Sequence, residues 1–307
     1  MSESPNLIPL AEIENPRDAL FFRLSGGLGN LLFQYLAGQA LARHLDVPIH
    51  YVPDVPMIHN SGLERLGISV AYAEVPAELV LRANRRRDRT LGDRLKTALG
   101  RWPLTPVREP HFHHWEGFTS IRPGSLVFGY WQSPRYFDHL GDLVAGLLRP
   151  GQVREQDPGA PLDELAQPGS VGVHVRRNDF ASRPENVAVH GLMGRTYYDR
   201  ARAAIESNTD VRTFYVFSDD VAAAQELLGH WGRTVFMPMR EQEIDMILLA
   251  QCQHHIIANS TFSWWPAYVA ASPEQKVIAP RHWFSRQTML SRYTLDLIPD
   301  AWVQVAG

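Results

Sequence analysis

A single cysteine, Cys252, in 307 residues excludes an intrachain disulfide framework and a cysteine-built zinc cage. The chain also has no run of the roughly 18 to 20 consecutive apolar residues that a membrane-spanning helix needs. It has no surplus of one charge either: the formal net charge is -3 and the pI is near 6.5. Nothing global therefore argues for nucleic acid or a membrane as partner, and any recognition by charge must be local. The opening segment, Met1 to Asn15, carries Glu3, Glu12 and Glu14 and lacks both the basic leader and the apolar core of a signal peptide, from which a cytoplasmic protein is expected. Internal repeats and long low-complexity runs are absent as well. What is present is ordinary globular composition, 45% hydrophobic and 21% charged, enough for two domains of about 150 residues. One island breaks the charge balance. Leu81 to Trp102 holds eight Lys or Arg against two Asp, and reads either as a solvated face or as a patch for an anionic or lipid-linked acceptor. The second reading leaves a peripheral position at the inner membrane face open.

Hydrophobic patterning supplies the architecture. Ala19 to Leu24 reads as a short buried strand, Ser25 to Asn30 as a turn, Leu31 to Leu45 as a helix and Ile49 to Val52 as a second strand, the opening of a parallel α/β unit. Arg149-Pro150-Gly151 and the polar, proline-rich segment up to Pro168-Gly169 place a domain boundary at residues 165 and 166. Beyond it, strands are expected at Val171 to Val175, Thr213 to Phe217, Thr234 to Phe236, His255 to Ala258 and Lys276 to Ile278. Helices are expected at Thr196 to Ser207, Val221 to Leu228, Glu241 to Gln253 and Ser263 to Ala271. Short strands alternating with helices indicate a second doubly wound parallel sheet. The expected fold is α/β, with two Rossmann-like domains, 1–165 and 166–307, facing across a cleft.

Several segments carry chemistry. Val173-His174-Val175-Arg176-Arg177-Asn178-Asp179-Phe180 leaves the end of an apolar strand, where polar residues enter the ligand crevice of a doubly wound sheet. Adjacent guanidinium groups, always charged and able to donate in pairs, suit a diphosphate. The bland alternative is a surface pair balanced by Asp179. Strand alternation puts Arg176 on the side of His174 and Arg177 on the other. Ser218, Asp219 and Asp220 also end a strand and begin a helix. They cap it, or a carboxylate among them accepts from the adjacent N1 and amino donors of guanine; a divalent metal is disfavoured because no His or third carboxylate is near. Ser260, Thr261, Phe262 and Ser263 stand at a helix start, where hydroxyls and free N–H groups cap the helix or hold phosphate. Gly27, Gly29 and Asn30 belong to a glycine turn that lets backbone approach a ligand. Its spacing is not the G-x-G-x-x-G of a dinucleotide oxidoreductase. His111, His113 and His114 beside Glu116 are too crowded in line for a good metal-ligand set. For a general base, the imidazole of His190 is the candidate, being the side-chain type suited to proton transfer near neutral pH, with Glu185 and Asp179 as alternatives in the same loop.

Together these segments resemble glycosyltransferase family 11. Gly26 to Tyr35 is similar to the family run G-G-L-G-N-Q-L-F-Q-Y, departing at Leu31, and Gly129 to Phe137 matches G-Y-[WF]-Q-S-x-x-Y-F. His174 to Phe180 resembles H-x-R-R-G-D-Y, with Asn178 for Gly and Phe180 for Tyr. His190-Gly191 with Tyr197-Tyr198, F-S-D-D from Phe217, N-S-[ST]-F-S-W-W from Asn259 and V-I-A-P-x-x-W-F from Val277 follow in order, with Pro266 where the family usually has Gly. The resemblance implies a GT-B-like fold and a metal-independent, inverting α-1,2-fucosyltransferase. Its donor is then GDP-β-L-fucose and its acceptor a galactose-containing glycan; no cofactor is expected. Arg176 is then the candidate for stabilising the leaving diphosphate, helped by Arg177, Ser263 and Asn30. Asp220, with His174 nearby, is the candidate for the guanosine end. A non-catalytic nucleotide-sugar-binding protein of the same fold is the alternative, against which the intact arginine pair argues.

Overall fold

The computed structural model describes residues 7–54, 62–84 (backbone only for 82–84), 103–177, 188–285, 288 and 293–307. The chain forms two compact units, Met1–Glu64 with Ile68–Leu140, and Arg65–Gly67 with Gly141–Gly307. Asn178, Asp179, Phe180, Glu185 and nearly all of the basic island lie outside the described residues.

The first unit is a six-stranded parallel sheet of β1 (Leu7–Pro9), β2 (Leu20–Leu24), β3 (Ile49–Pro53), β4 (Tyr72–Glu74), β5 (Thr105–Arg108) and β6 (Ser125–Phe128), in the order β1-β4-β3-β2-β6-β5. Its central strand β2, Leu-Phe-Phe-Arg-Leu, is buried at every position but Arg23, as expected for a parallel strand covered on both faces. Phe21, Val52, Ala73, Leu126 and Phe128 share one core. Among the described residues two α-helices belong to this unit, α1 (Leu28–Leu45) and α2 (Ala77–Asn84). α1 is buried over most of its circumference, which is why its sequence shows little amphipathic contrast.

The second unit opens with three short helices, α3 (Gly141–Ala145), α4 (Pro150–Gln156) and α5 (Leu162–Leu165). The expected boundary at residue 165 therefore lies inside this unit. Val153 and Leu165 are fully buried, and each such side chain contributes about 1.5–3 kcal/mol, enough to hold a proline-rich segment that reads as a linker. The ion pair of Arg240 Nε with Asp157 Oδ2, 2.7 Å apart, adds to that attachment.

There follow β7 (Ser170–Val175), β8 (Thr213–Ser218), β9 (Thr234–Phe236), β10 (His254–Ile256), β11 (Val277–Pro280) and β12 (Val303–Val305), paired in parallel in the order β12-β11-β10-β7-β8-β9. Numbered from β7, this is the 3-2-1-4-5-6 order of a dinucleotide-binding sheet, whose switch point lies between β7 and β10. Between the strands run α6 (Arg195–Glu206), α7 (Val221–Leu228), α8 (Gln242–Leu249) and α9 (Thr261–Val269). Gly172 in β7 is a packing requirement: a Cβ there would stand 2.5 Å from Leu249 Cδ1, so its absence lets α8 lie close on the strand. Both halves of the expected GT-B-like architecture are thus doubly wound parallel sheets.

Candidate functional site

The carboxyl ends of β7, β8 and β10 gather the polar residues of the second unit. Two tyrosines of α6 fix this edge from below: Tyr197 donates its hydroxyl to the Ile257 carbonyl just after β10, and Tyr198 donates to the His174 carbonyl in β7, 3.0 Å. Both side chains are fully buried. The two carbonyls they satisfy flank the switch point.

Asp219 organises the arginine pair. Its Oδ1 accepts from the Arg177 N–H at 2.7 Å, and its Oδ2 stands 3.2 Å from Arg176 Nε. Arg177 turns away and donates through its guanidinium to the Met193 carbonyl at 3.0 Å. Arg176 instead lines a pocket of 170 Å³ with His174, Phe217, Ser218, Asp219, Met239, Arg240, Gln242, Asp245 and Phe262. The alternation read from the sequence thus holds: His174 and Arg176 face one pocket and Arg177 the other side. Arg176 is only 23% exposed, so its fixed charge acts in a medium less polarisable than bulk water.

His174 and Asp245 set the polarity of this pocket. The His174 ring is buried and packs on Phe262 with centroids 5.0 Å apart. Burial, with the Arg176 charge beside it, brings its pKa down to about 3, so the ring is neutral at any working pH. Its Nδ1 has no hydrogen-bond partner among the described residues. Asp245, on α8, is 8% exposed. Burial raises its pKa to about 6, against the backbone N–H and charge of Arg240, which lower it. Oδ2 accepts from the Arg240 N–H at 3.3 Å, and Oδ1 has no partner among the described residues. A buried acceptor left open in this way calls for a donor from a ligand. The available walls are Phe217, Phe262 and the exposed Met239, a slot suited to a flat ring.

The other sequence candidates take varied places. Asp220 is the N-cap of α7, its Oδ1 accepting from the Ala223 N–H at 3.0 Å, while Ser218 Oγ donates to the Asp220 carbonyl at 2.9 Å. Ser260 caps α9 by accepting from the Phe262 N–H, with Thr261 the first residue of that helix. Ser263, expected at the diphosphate, is fully buried and donates its hydroxyl to the Ser260 carbonyl at 3.2 Å, so in this conformation it braces the helix start. His190 is not among the pocket-lining residues. Its ring packs on Phe284, centroids 5.3 Å apart, and its carbonyl accepts from Asn259 Nδ2 at 2.8 Å. Asn259, 2% exposed, also donates to the Trp283 carbonyl at 3.2 Å and so ties two loops to the end of β10. Gly27, Gly29 and Asn30 belong to the first unit, at the start of α1. Among the described residues no group of three or more His, Cys, Asp or Glu is placed to hold a metal ion, and no helix is long and apolar enough to cross a membrane.

Sequence reasoning missed Asp245. It stood in a segment, Glu241 to Gln253, read only as one of the helices between strands. In fact every residue of α8 from Glu243 to Leu249 is buried, and two carboxylates in an otherwise apolar helix of that kind were the available signal.

Comparison with known proteins agrees with this geometry. The model of Glycosyl transferase family 11 matches residues 120–302. An Escherichia coli alpha-1,2-colitosyltransferase is 28% identical, over 92% of this chain and 97% of its own length. A Mus musculus galactoside 2-alpha-L-fucosyltransferase is 26% identical, over 87% of this chain and 68% of its own. Among solved structures, a mutant of Arabidopsis thaliana FUT1 in complex with GDP aligns over 85% of this chain and 70% of that one, with a TM-score of 0.51 at 12% identity, a likeness of fold.

Proposed function

The chain belongs to glycosyl transferase family 11, and from that premise we propose that it moves L-fucose from GDP-β-L-fucose to the 2-OH of a terminal galactoside, forming an α-1,2-fucoside of a glycan or surface polysaccharide. The observation that carries this reading is the pairing, in one pocket, of an open buried carboxylate with a fixed cation. The N1–H and exocyclic amino group of guanine are adjacent donors that match Asp245. Adenine offers no such pair at that edge. Arg176 then meets the diphosphate, and the Asp219 carboxylate 3.2 Å from its Nε helps hold the guanidinium at this pocket.

Fucose is β-linked to the diphosphate, so attack by the acceptor oxygen on the opposite face of C1 gives the α-fucoside. As that bond forms, the bond from C1 to the diphosphate oxygen breaks and its electron pair leaves on the phosphate. Arg176 stabilises this developing charge without a metal, as a donor already in place before the reaction. The acceptor hydroxyl loses its proton to a base, for which His190 is our choice. Arg177 supports from behind, anchored on Met193.

A second reading is favoured by one observation: the relative aligned over 92% of this chain is named for colitosyl transfer. The pocket recognises the base and not the sugar, so another GDP-sugar fits it equally. A donor screen tests both readings, with release of nucleoside diphosphate and product mass as readouts for GDP-fucose, other GDP-sugars and UDP-sugars offered with simple galactosides. Transfer from GDP-fucose supports the first reading and transfer only from another GDP-sugar the second. Use of a UDP-sugar, or of none, sinks both.

A further inference from the structure

The first unit has its own switch point, between β2 and β6, and two sequence runs 95 residues apart are stitched together there. Gln34, fully buried on α1, accepts from the Ser25 N–H at 2.8 Å and donates to the Gly129 carbonyl at 3.0 Å. Glu109, just after β5, uses both carboxylate oxygens on the N–H groups of Tyr130 and Trp131, at 2.8 and 3.0 Å. Between these clamps Trp131 is held in the left-handed region at φ 55, a conformation that costs a bulky residue energy and persists only where its surroundings impose it. Gly26 lies at φ +89, a backbone conformation that side-chain-bearing residues rarely adopt, and a Cβ there would also press on the Asn30 side chain. Gly27 at the N-cap of α1 has nothing within 4 Å of where a Cβ would be, so this glycine leaves open space.

Gln132 is the residue this rigid frame presents. Its side chain is 5% exposed, and Nε2 donates to Asn30 Oδ1 at 2.7 Å. Its Oε1 has no hydrogen-bond partner among the described residues. Gln34 and Glu109 are engaged at both ends of their polar groups; Gln132 is engaged at one. Whichever way the facing amides are turned, one Gln132 atom serves Asn30 and the other is left for a ligand group that both donates and accepts, as a hydroxyl does. The side chain that Gln132 bonds, Asn30, is a neutral amide, and the amide pair suits an uncharged polyol better than a phosphate.

We propose that Gln132, held where the Ser25–Asn30 and Gly129–Ser133 loops meet, binds a ring hydroxyl of the acceptor sugar, and that Asn30 positions Gln132. The inference rests on the reading of the chain as a GDP-sugar transferase. It identifies a place for the second substrate at the position where doubly wound sheets take their ligands.

The test compares the full-length protein with Gln132→Leu, using GDP-fucose and whichever of a panel of simple β-galactosides and β-glucosides it fucosylates best. Gln132→Leu is expected to raise acceptor KM about tenfold or more, the loss falling on KM rather than kcat, with GDP affinity by calorimetry within about twofold. One monodeoxy analogue of that acceptor, taken about tenfold worse than its parent by the wild type, should be taken no worse than its parent by the variant. Should Gln132→Leu fail to fold by circular dichroism, Gln132→Met, unbranched and without either polar atom, replaces it. A folded variant with wild-type acceptor KM overturns the inference, and so does a parallel fall in GDP affinity, which would place Gln132 on the donor. If the wild type binds GDP but fucosylates no acceptor, the functional reading fails and this inference falls with it; intact transfer that is indifferent to Gln132 removes this inference alone.

Discussion

Asp245→Asn should make the protein more stable and worse at its task. In the ligand-free wild type the carboxylate is ionised at pH 7.5 although its pKa is raised from 3.8 to about 6 by burial. A shift of about two units corresponds to roughly 3 kcal/mol, the order of what the fold gives up to keep this charge inside. Asn at 245 removes that penalty and keeps an oxygen for the Arg240 N–H, so the apo thermal midpoint should rise. Guanine binding should suffer. The variant loses a charged acceptor for two donors, each such hydrogen bond being worth about 1.5–3 kcal/mol, and turns an amide N–H toward the N–H groups of the base. A fall of about a hundredfold or more in GDP-fucose affinity is expected by calorimetry. The pH dependence has a definite sign. Because the folded pKa is raised, the wild-type stability contribution of Asp245 is complete below 3.8 and is lost as pH rises through about 6. Guanine binding needs the ionised form, so affinity should instead rise with pH to about 6 and then level off. GDP-fucose is the ligand to use, since its diphosphate has no proton to lose in this range. Asp245→Asn should flatten both profiles. Wild-type affinity in the variant, or a lower midpoint, would refute the assignment.

Arg176→Ala should lower turnover by about 10² to 10³, the cost of removing one donor to a developing anion. Arg176→Lys should recover little, since an ammonium cannot replace a fork held through Nε by Asp219. Arg177→Ala should be milder; near-normal turnover of Arg176→Ala beside a dead Arg177→Ala would reverse the two roles. His190→Ala should lower turnover far more than it weakens GDP binding, and equal losses in the two would move His190 to the donor site.

Much of the second unit was legible because its central strands are fully buried and so read as apolar runs. Thr234 to Phe236 and Val221 to Leu228 fall where expected, and β7, β8, α6 and α9 differ at their ends by one or two residues. The segment Glu241 to Gln253 ends as helix at Leu249, because Cys252 and Gln253 turn into β10 and the Gln253 side chain accepts from the Gly169 N–H. Less was legible in the first unit. β1 is three residues ending in proline, β12 of the second unit is three residues at a sheet edge, and β5 and β6 are four-residue strands flanking a loop rich in aromatic residues, too short for periodicity to register. The arginine pair was visible as a charged exit from an apolar strand. Of Asp219 and Asp220, adjacent in sequence, Asp220 was the candidate for the guanosine end, but it caps a helix while Asp219 holds the arginine pair, a division decided by which way each side chain leaves the turn.

The central claim, metal-free inverting transfer of fucose from GDP-fucose, is tested most directly by proton NMR of the product made from GDP-β-L-fucose and a simple β-galactoside in excess chelator. The expected product carries fucose in the α configuration on O2 of galactose, at a rate unchanged by the chelator. A β-fucoside, or transfer that stops in chelator and returns with manganese or magnesium, would contradict it.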